Sequence, residues 1–171
     1  MCGFAGFLTT QAGSLVGLEA VATRMSNTIT HRGPDDSGAW ADEQTGIALG
    51  HRRLSIVDLS SAGHQPMASS GGRFMMAFNG EIYNHLKLRA ELQTAGAAPA
   101  WRGHSDTETL LAGFEHWGIE ATLDKTVGMF AIALWDVQQR MLYLARDRFG
   151  EKPLYYGWSN RGFLFGSELN A

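Results

Sequence analysis

The sequence contains a single cysteine and no long hydrophobic run. One cysteine cannot form a disulfide within the chain, which fits a reducing compartment such as the cytoplasm. The longest apolar run, MFAIALW at 129–135, is too short to cross a bilayer. The first residues lack the basic segment and the apolar stretch of a secretion signal. These absences predict a cytoplasmic protein that has no membrane partner.

Charge is also sparse. Charged residues make up 18% of the chain and the net charge is -3, so no strongly basic surface is expected. This balance argues against nucleic acid as a partner. The six histidines include no close helical pair supported by carboxylates, so we expect no metal site. What remains is an ordinary globular composition, 44% hydrophobic, in 171 residues, which is enough for one domain.

The hydrophobic periodicity indicates a mixture of helices and short strands. Helical patterns cover about 16–28, 84–95 and 106–117. Strands are predicted at 2–8, 47–51, 54–59, 73–80, 129–136, 141–147, 153–158 and 162–167. The segment HRGPDDSG at 31–38 is interpreted as a loop, because glycine and proline end helices and aspartates favour turns.

Two of these strands are apolar on both faces. In the strand at 129–136, Phe130, Ile132 and Leu134 alternate with Ala131, Ala133 and Trp135. A half-solvated antiparallel strand would alternate apolar with polar residues, so we expect these strands to be covered on both sides. Two stacked sheets with helices outside, an α+β fold, would do this, and a β-sandwich with stray helices is the alternative. The periodicity does not separate the two.

The position of the cysteine suggests chemistry. Once Met1 is removed, Cys2 carries a thiol and a free α-amino group on one residue. The amine has an ordinary pKa of about 7.7–8.0 and can act as a base for its own side chain. A thiol with a pKa of about 8.5 needs such help to become nucleophilic. The competing interpretation is a small core residue, since cysteine is often buried in apolar strands.

A nucleophile that attacks a carbonyl also needs an oxyanion hole. Asn79 and Gly80 end a predicted strand, and an asparagine amide and a glycine N–H can converge on one oxygen. Asn-Gly is equally the strongest short signal for a hairpin turn. The residues that follow predict a helix rather than a returning strand, so both interpretations stay open.

The charged residues nearby suggest an amino-acid ligand. Arg53 precedes an apolar strand, where a guanidinium could hold a carboxylate through two hydrogen bonds. Asp106 stands at the start of a helix and could accept from an ammonium group, although an N-cap is the simpler role. Glu81 could do either.

Eight segments of the sequence, in order and over almost the whole chain, closely resemble one known family. They are MCGFAGF, HRGPDDSG, GHRRLSIVDLS, GHQPM, FNGEIYNH, GHSDTETLL, GMFAIALWD and ARDRFGEKPLYYG. This family is the glutaminase domain of glutamine-hydrolysing asparagine synthetases, a class II glutamine amidotransferase of the N-terminal-nucleophile hydrolase type. The resemblance implies a four-layer αββα sandwich of two stacked, mainly antiparallel sheets.

The resemblance also assigns roles to individual positions. Cys2 matches the nucleophile, and Asn79 and Gly80 match the oxyanion hole. Glu81 and Asp106 match contacts to the substrate amino group, and the loop at 32–35 flanks the site. The positions that match the binding of the glutamine α-carboxylate are Arg53, Leu54, Ser55, Ile56 and Val57. One departure is Arg52, where many members carry glutamate.

The function implied by the resemblance is hydrolysis of glutamine to glutamate and ammonia through a cysteine thioester. Residues 1–171 would then be the amidotransferase domain, at the N-terminal end of a longer synthetase. The ammonia would serve an ATP-dependent synthetase domain in asparagine biosynthesis, with aspartate or another carboxylate as acceptor.

No cofactor is expected in this domain, because ATP and magnesium belong to the synthetase domain. The expected partners are glutamine and that domain, and a homodimer stays open. The alternative function is a catalytically idle module that supports a partner synthetase domain.

Overall fold

The computed structural model describes residues 2–10, 16–54 and 61–171. Within these ranges the chain forms nine strands, four α-helices and two short 3₁₀ turns, at Thr30–Arg32 and Ser61–Gly63. The strands are β1 Gly3–Thr9, β2 Asp36–Asp42, β3 Ile47–Arg53, β4 Met67–Ala68, β5 Phe74–Ile82, β6 Gly128–Asp136, β7 Met141–Arg146, β8 Tyr155–Ser159 and β9 Gly162–Gly166. The helices are α1 Leu18–Asn27, α2 His85–Thr94, α3 Asp106–His116 and α4 Ile119–Lys125.

The strands form two antiparallel sheets. The first has five strands in the order β2-β3-β1-β9-β8, and the second has four in the order β4-β5-β6-β7. Strand β1 lies in the middle of the first sheet, and β5 and β6 are the central strands of the second. The two sheets pack face to face over a buried cluster that includes Phe4, Leu49 and Trp135.

The two central strands of the second sheet, β5 and β6, are buried on both faces, as the sequence predicts. On β6, Ala131, Ala133 and Trp135 face the other sheet. The alternate residues Phe130, Ile132 and Leu134 face a second cluster formed with helical side chains. Strand β5 alternates in the same way, because Ala77 belongs to the first cluster and Phe78 to the second.

Helices cover the outer face of each sheet. Leu18 and Ala22 of α1 pack on Phe7 and Ala48 of the five-stranded sheet. Side chains of α2 and α3, including Leu88 and Phe114, pack on the four-stranded sheet. The order of layers is therefore helix, sheet, sheet, helix, and the predicted α+β fold of two stacked antiparallel sheets is confirmed.

Three predicted boundaries differ from the structure. The predicted loop at 31–38 is wrong in its second half, because β2 begins at Asp36 and pairs with β3. The predicted strand at 73–80 does not end at Asn79-Gly80, since β5 continues to Ile82 on the support of β6. Leu54 lies outside any strand, and the rest of the predicted strand at 54–59 falls outside the described residues.

Two elements have weak signals in the sequence. Strand β2, DSGAWAD, is rich in small and polar residues because it lies at a sheet edge. Helix α4 has only seven residues, too few to establish a helical period. None of the helices in the described part of the chain is long and apolar enough to cross a membrane.

Candidate active site

The pairing of β1 with β3 places Cys2. Gly3 is opposite Arg52 in this register, so Cys2 lies beside the end of β3. The Leu54 N–H donates to the Cys2 sulfur over 3.3 Å, and the sulfur lies 3.5 Å from the Leu54 carbonyl oxygen. The thiol is partly buried and lies against the backbone of Leu54, just beyond the end of β3. Its position is set by the sheet rather than by a flexible terminus.

The Arg32 side chain holds the main chain of Cys2. Its Nε donates to the Cys2 carbonyl oxygen over 3.0 Å, and its Nη1 donates to Glu168 over 3.0 Å. The hydrogen bond from Arg32, followed by that from His31, lowers the pKa of Glu168 below its ordinary value. Arg32 is predicted from the sequence to lie beside the site, but Glu168 is not, because its partner is 136 residues away along the chain.

Six of the sequence-predicted site residues line one pocket at the edge between the sheets. They are Cys2, Arg53, Leu54, Gly80, Glu81 and Asp106. Ser55, Ile56 and Val57 lie outside the described residues. The pocket also contains residues that the sequence analysis did not single out, which are Gly63, Gln65, Phe78, Ser105 and Thr107.

The Gly80 N–H points toward this pocket. Gly80 pairs with Phe130, whose N–H and C=O both bond Asp147 on the far side of β6. In an antiparallel ladder, Gly80 and Phe130 are therefore a pair without mutual hydrogen bonds, and the main-chain groups of Gly80 face away from β6. The interpretation of Asn79-Gly80 as a hairpin turn is excluded, because both residues lie inside β5.

The Gly80 position has room for no larger residue. A Cβ there would lie 2.3 Å from the Met129 carbonyl oxygen. Glycine thus permits the close approach of β5 and β6 at the point where the N–H faces the pocket.

Asn79 lies next to the pocket rather than in its lining. Its side chain is on the face of β5 that carries Ala77, toward the sheet that contains β1. The side chain is 1% exposed, and its Nδ2 has no hydrogen-bond partner among the described residues. A buried amide donor without a partner is costly, so a donor in this place indicates a function.

Asp106 is not the N-cap of α3. Ser105 takes that role, with its Oγ accepting from the Glu108 N–H over 3.2 Å. The Asp106 carboxylate instead accepts from the Ile82 N–H over 2.9 Å and from the Thr107 N–H over 2.8 Å. Burial raises its pKa, and these two hydrogen bonds offset part of the rise. The carboxylate thus ties α3 to β5 and lines the pocket.

Arg53 brings a cation to the same pocket. The residue is 8% exposed and sits at the end of β3, on the same face as Leu49 and His51. Its guanidinium packs on Gly63, where an added Cβ would lie 2.1 Å from Nη2. A buried guanidinium in a polar pocket is suited to bind a carboxylate through two parallel hydrogen bonds.

The pocket therefore combines a thiol, an open main-chain N–H, a cation and a buried carboxylate. Arg53 and Asp106 suit the α-carboxylate and the α-ammonium group of an amino acid, whose side chain could extend toward Cys2 and Gly80 in the same pocket. This set of groups is what acyl transfer by a nucleophile requires.

Comparison with known proteins shows which family the chain resembles. The family model described as a glutamine amidotransferase domain matches residues 1–171. The chain is 43% identical over 172 residues to asparagine synthetase [glutamine-hydrolyzing] 1 of Bacillus subtilis, covering 100% of this chain and 26% of that protein. It is 40% identical over 173 residues to asparagine synthetase [glutamine-hydrolyzing] 3 of the same organism, covering 100% of this chain and 27% of the relative.

A solved structure shows the same fold. The glutamine phosphoribosylpyrophosphate amidotransferase of B. subtilis, complexed with ADP and GMP, superposes with a TM-score of 0.79 at 19% identity. The match covers 98% of this chain and 42% of that chain. The chain spans about a quarter of the length of the curated relatives that it matches. On the full-length match to the family model and the identity to these relatives, the chain belongs to the glutamine amidotransferase domain family.

Proposed function

We propose that this domain hydrolyses glutamine to glutamate and ammonia, with Cys2 as the nucleophile. The observation that carries the proposal is the meeting of Cys2, Arg53, Gly80 and Asp106 in one pocket. The family membership supports glutamine as the substrate. The roles of the individual residues follow from their chemistry in this pocket.

The reaction begins with the α-amino group of Cys2, freed by removal of Met1. This amine takes the thiol proton, and the thiolate attacks the side-chain carbonyl carbon of glutamine. The oxygen becomes an oxyanion that accepts hydrogen bonds from the Gly80 N–H and from Asn79 Nδ2. Collapse of the tetrahedral intermediate breaks the C–N bond, and the proton held by the amine leaves with the ammonia. Water then attacks the thioester carbon and gives a proton to the amine, the C–S bond breaks to release glutamate, and the amine returns the proton to the sulfur.

The charged groups hold the substrate during both steps. Arg53 binds the α-carboxylate of glutamine, and Asp106 with Glu81 accepts from its ammonium group. Because Arg32 fixes the Cys2 carbonyl, the thiol and the amine keep their positions when the substrate enters. Each group acts on a different part of the same molecule.

We also propose that the ammonia serves an ATP-dependent synthetase domain of the same longer chain, in the cytoplasm. The support is that the asparagine synthetases matched here are about four times longer than this domain. Several large apolar side chains on β8, on β9 and just beyond them are exposed, as expected of a surface that a partner covers. They are Tyr155, Tyr156, Trp158, Leu164 and Leu169. ATP and magnesium would belong to that partner domain.

The experiment that tests the activity uses the purified protein with glutamine labelled with ¹⁵N in the side-chain amide. We expect stoichiometric glutamate and labelled ammonia. A chain that binds glutamine without releasing either product would be the idle module instead.

The two charged contacts give a prediction about selectivity. Arg53→Ala leaves the substrate carboxylate unpaired, which typically costs about 2–5 kcal/mol, or about 30-fold or more in kcat/KM. Asp106→Asn removes the charge but keeps an oxygen that can accept from Ile82. We expect this variant to lose most of its preference for glutamine over glutaramic acid, which lacks the α-amino group. Steady-state kinetics with both substrates measure it.

If both variants kept wild-type kcat/KM for glutamine, the charged groups that hold the substrate would have to lie elsewhere. Comparison of the two substrates separates the roles. Loss of Asp106 should matter only for the substrate that carries an ammonium group, whereas loss of Arg53 should weaken both substrates.

Gly63 gives a second prediction, about the position of the Arg53 guanidinium. In Gly63→Ala the new methyl group would occupy the place of Arg53 Nη2, and the end of a flexible side chain moves more easily than the backbone. We expect the guanidinium to shift and KM to rise about 10-fold to 100-fold, because misplacement by about 1 Å can cost 10²-fold. Thermal unfolding should change little.

Gly157→Ala is the matched control. The same methyl group there has no neighbour within 4 Å, so kinetics should stay at the wild-type level. An unchanged KM in Gly63→Ala would mean that the Arg53 guanidinium does not need its present place.

A further inference from the structure

Strand β5 has an open edge where it reaches the active site. Among the described residues, its only strand partner on the side away from β6 is β4, which pairs with Met75 and Met76 and extends no further. Beyond that point the main-chain groups of alternate residues, Phe78, Gly80 and Ile82, face this edge. An open edge of this kind, buried between two layers, must have its hydrogen bonds satisfied by something other than a strand.

Side chains take the place of the missing strand at two of these three residues. The Phe78 N–H donates to Gln65 Oε1 over 2.7 Å, and the Phe78 carbonyl lies 2.9 Å from His51 Nε2. The Ile82 N–H donates to Asp106. Between them lies Gly80, whose N–H is left facing the pocket. Of the three main-chain N–H groups at this edge, those of Phe78 and Ile82 are bonded to side chains, and that of Gly80 is left for the substrate.

His51 makes its bond from the other sheet. It is on β3, fully buried, on the face between the sheets, and the carbonyl can only accept, so Nε2 carries the proton. Burial is the main cause that lowers the pKa of His51 to about 4, which keeps the ring neutral at working pH. Nδ1 has no partner among the described residues, so the bond to Phe78 is what this buried ring provides.

The Phe78–Asn79 peptide is thereby held from both sides. His51 bonds its carbonyl, and the Asn79 N–H points toward β6 in the ladder. The orientation of this peptide determines where the Asn79 side chain and the next N–H, that of Gly80, point. Gln65 fixes the preceding peptide and also contacts Thr107 in the pocket.

We propose that His51 and Gln65 are positioning residues that hold the oxyanion hole by bonding Phe78 at the open edge of β5. The inference rests on the proposed function, since it assigns the donors of Asn79 and Gly80 to an oxyanion. Neither side chain needs to touch the reacting atoms. From the sequence, the histidines were considered only as metal ligands, and Gln65 was not singled out.

The test compares His51→Met with His51→Gln. Methionine is apolar and removes the donor, whereas the glutamine amide nitrogen can reach nearly the same place as Nε2. We expect His51→Met to lower kcat for glutamine by about 10-fold to 100-fold, because the donors shift from their places. His51→Gln should restore most of this loss.

A pair of ligands separates positioning from general packing. Glutamate γ-semialdehyde adds to the thiol and forms a tetrahedral oxyanion, whereas glutamate needs only the charged contacts. In His51→Met we expect the affinity for the aldehyde to fall in parallel with kcat, while the affinity for glutamate stays within about two-fold. His116→Met, an exposed histidine at the end of α3, is the control and should change neither.

The outcomes are distinct. The inference would be overturned if His51→Met kept the wild-type kcat and aldehyde affinity. It would also be overturned if this variant lost affinity for the aldehyde and for glutamate equally. If thermal unfolding shows that His51→Met does not fold, Gln65→Met, which removes the acceptor for the Phe78 N–H, carries the same test with the same expectation. A wild-type protein that neither hydrolyses glutamine nor binds the aldehyde would instead refute the proposed function.

Discussion

Replacement of Cys2 by alanine is expected to abolish glutamine hydrolysis while glutamine still binds. Without the sulfur there is no thioester route, and loss of a nucleophile typically lowers the rate by 10⁴-fold or more, about 10⁶-fold where residues act as a unit. The charged contacts are untouched, since Arg53 and Asp106 belong to other elements. Glutamate formation and binding of glutamine by calorimetry measure the two effects.

The fold should survive this change. The Cys2 sulfur accepts from the Leu54 N–H, and loss of that acceptor leaves one partly buried donor, at a cost of about 1–3 kcal/mol. Cys2→Ser is the matched control, because it keeps an acceptor at the same place but offers a far weaker nucleophile. Normal turnover by Cys2→Ala would refute the assignment of the nucleophile.

The layers of the fold could be predicted because a strand that is buried on both faces carries apolar residues on both faces. Residues 130–135 are apolar on both faces, and such a strand is expected only in a sheet that is covered on both sides. The alternative, a sandwich with stray helices, could not be rejected from periodicity. Coverage by helices depends on tertiary contacts, such as those of Ala22 with Ala48, which no local pattern encodes.

The reactive groups of the candidate site could be predicted from the sequence, but the residues that orient them could not. Cys2 and Asp106 are recognised by residue type and position. By contrast, the partners that orient the site are distant in sequence: Glu168 for Arg32, and Gln65 for the Phe78 N–H. The role of Gln65 follows from the open edge of β5, which among the described residues begins where the two-residue strand β4 ends. A short strand of this kind gives no sequence signal.

The Asn79-Gly80 pair shows the same limit. Its local preference is for a tight turn, yet the pair lies in an extended strand because β6 bonds the whole of β5. Pairing with β6 thus overrides the turn preference, and the glycine instead permits the close approach of β5 to the Met129 carbonyl oxygen. Where local and global preferences conflict, a functional site is the expected reason.

Addition of any residue before Cys2 is expected to abolish hydrolysis even though the thiol is intact. An α-amino group has a basic lone pair with an ordinary pKa of about 7.7–8.0, whereas an amide nitrogen has none. Because Arg32 and β1 hold the main chain of Cys2, the amine lies at a fixed place relative to its own sulfur, and no other group would inherit that geometry. A protein with a non-cleavable N-terminal extension should therefore fold normally and bind glutamine without turnover.

The measurement uses one protein in two forms, before and after a protease removes a tag and leaves Cys2 as the first residue. Intact mass gives the identity of the first residue, and glutamate release gives the activity. Cleavage should raise the rate from background to that of the processed enzyme, and the pH profile of kcat/KM should show a limb governed by the amine. Full activity in the extended form would mean that another base serves Cys2. The neutral, buried His51 is a poor candidate for that base, since its Nε2 is already committed to the Phe78 carbonyl.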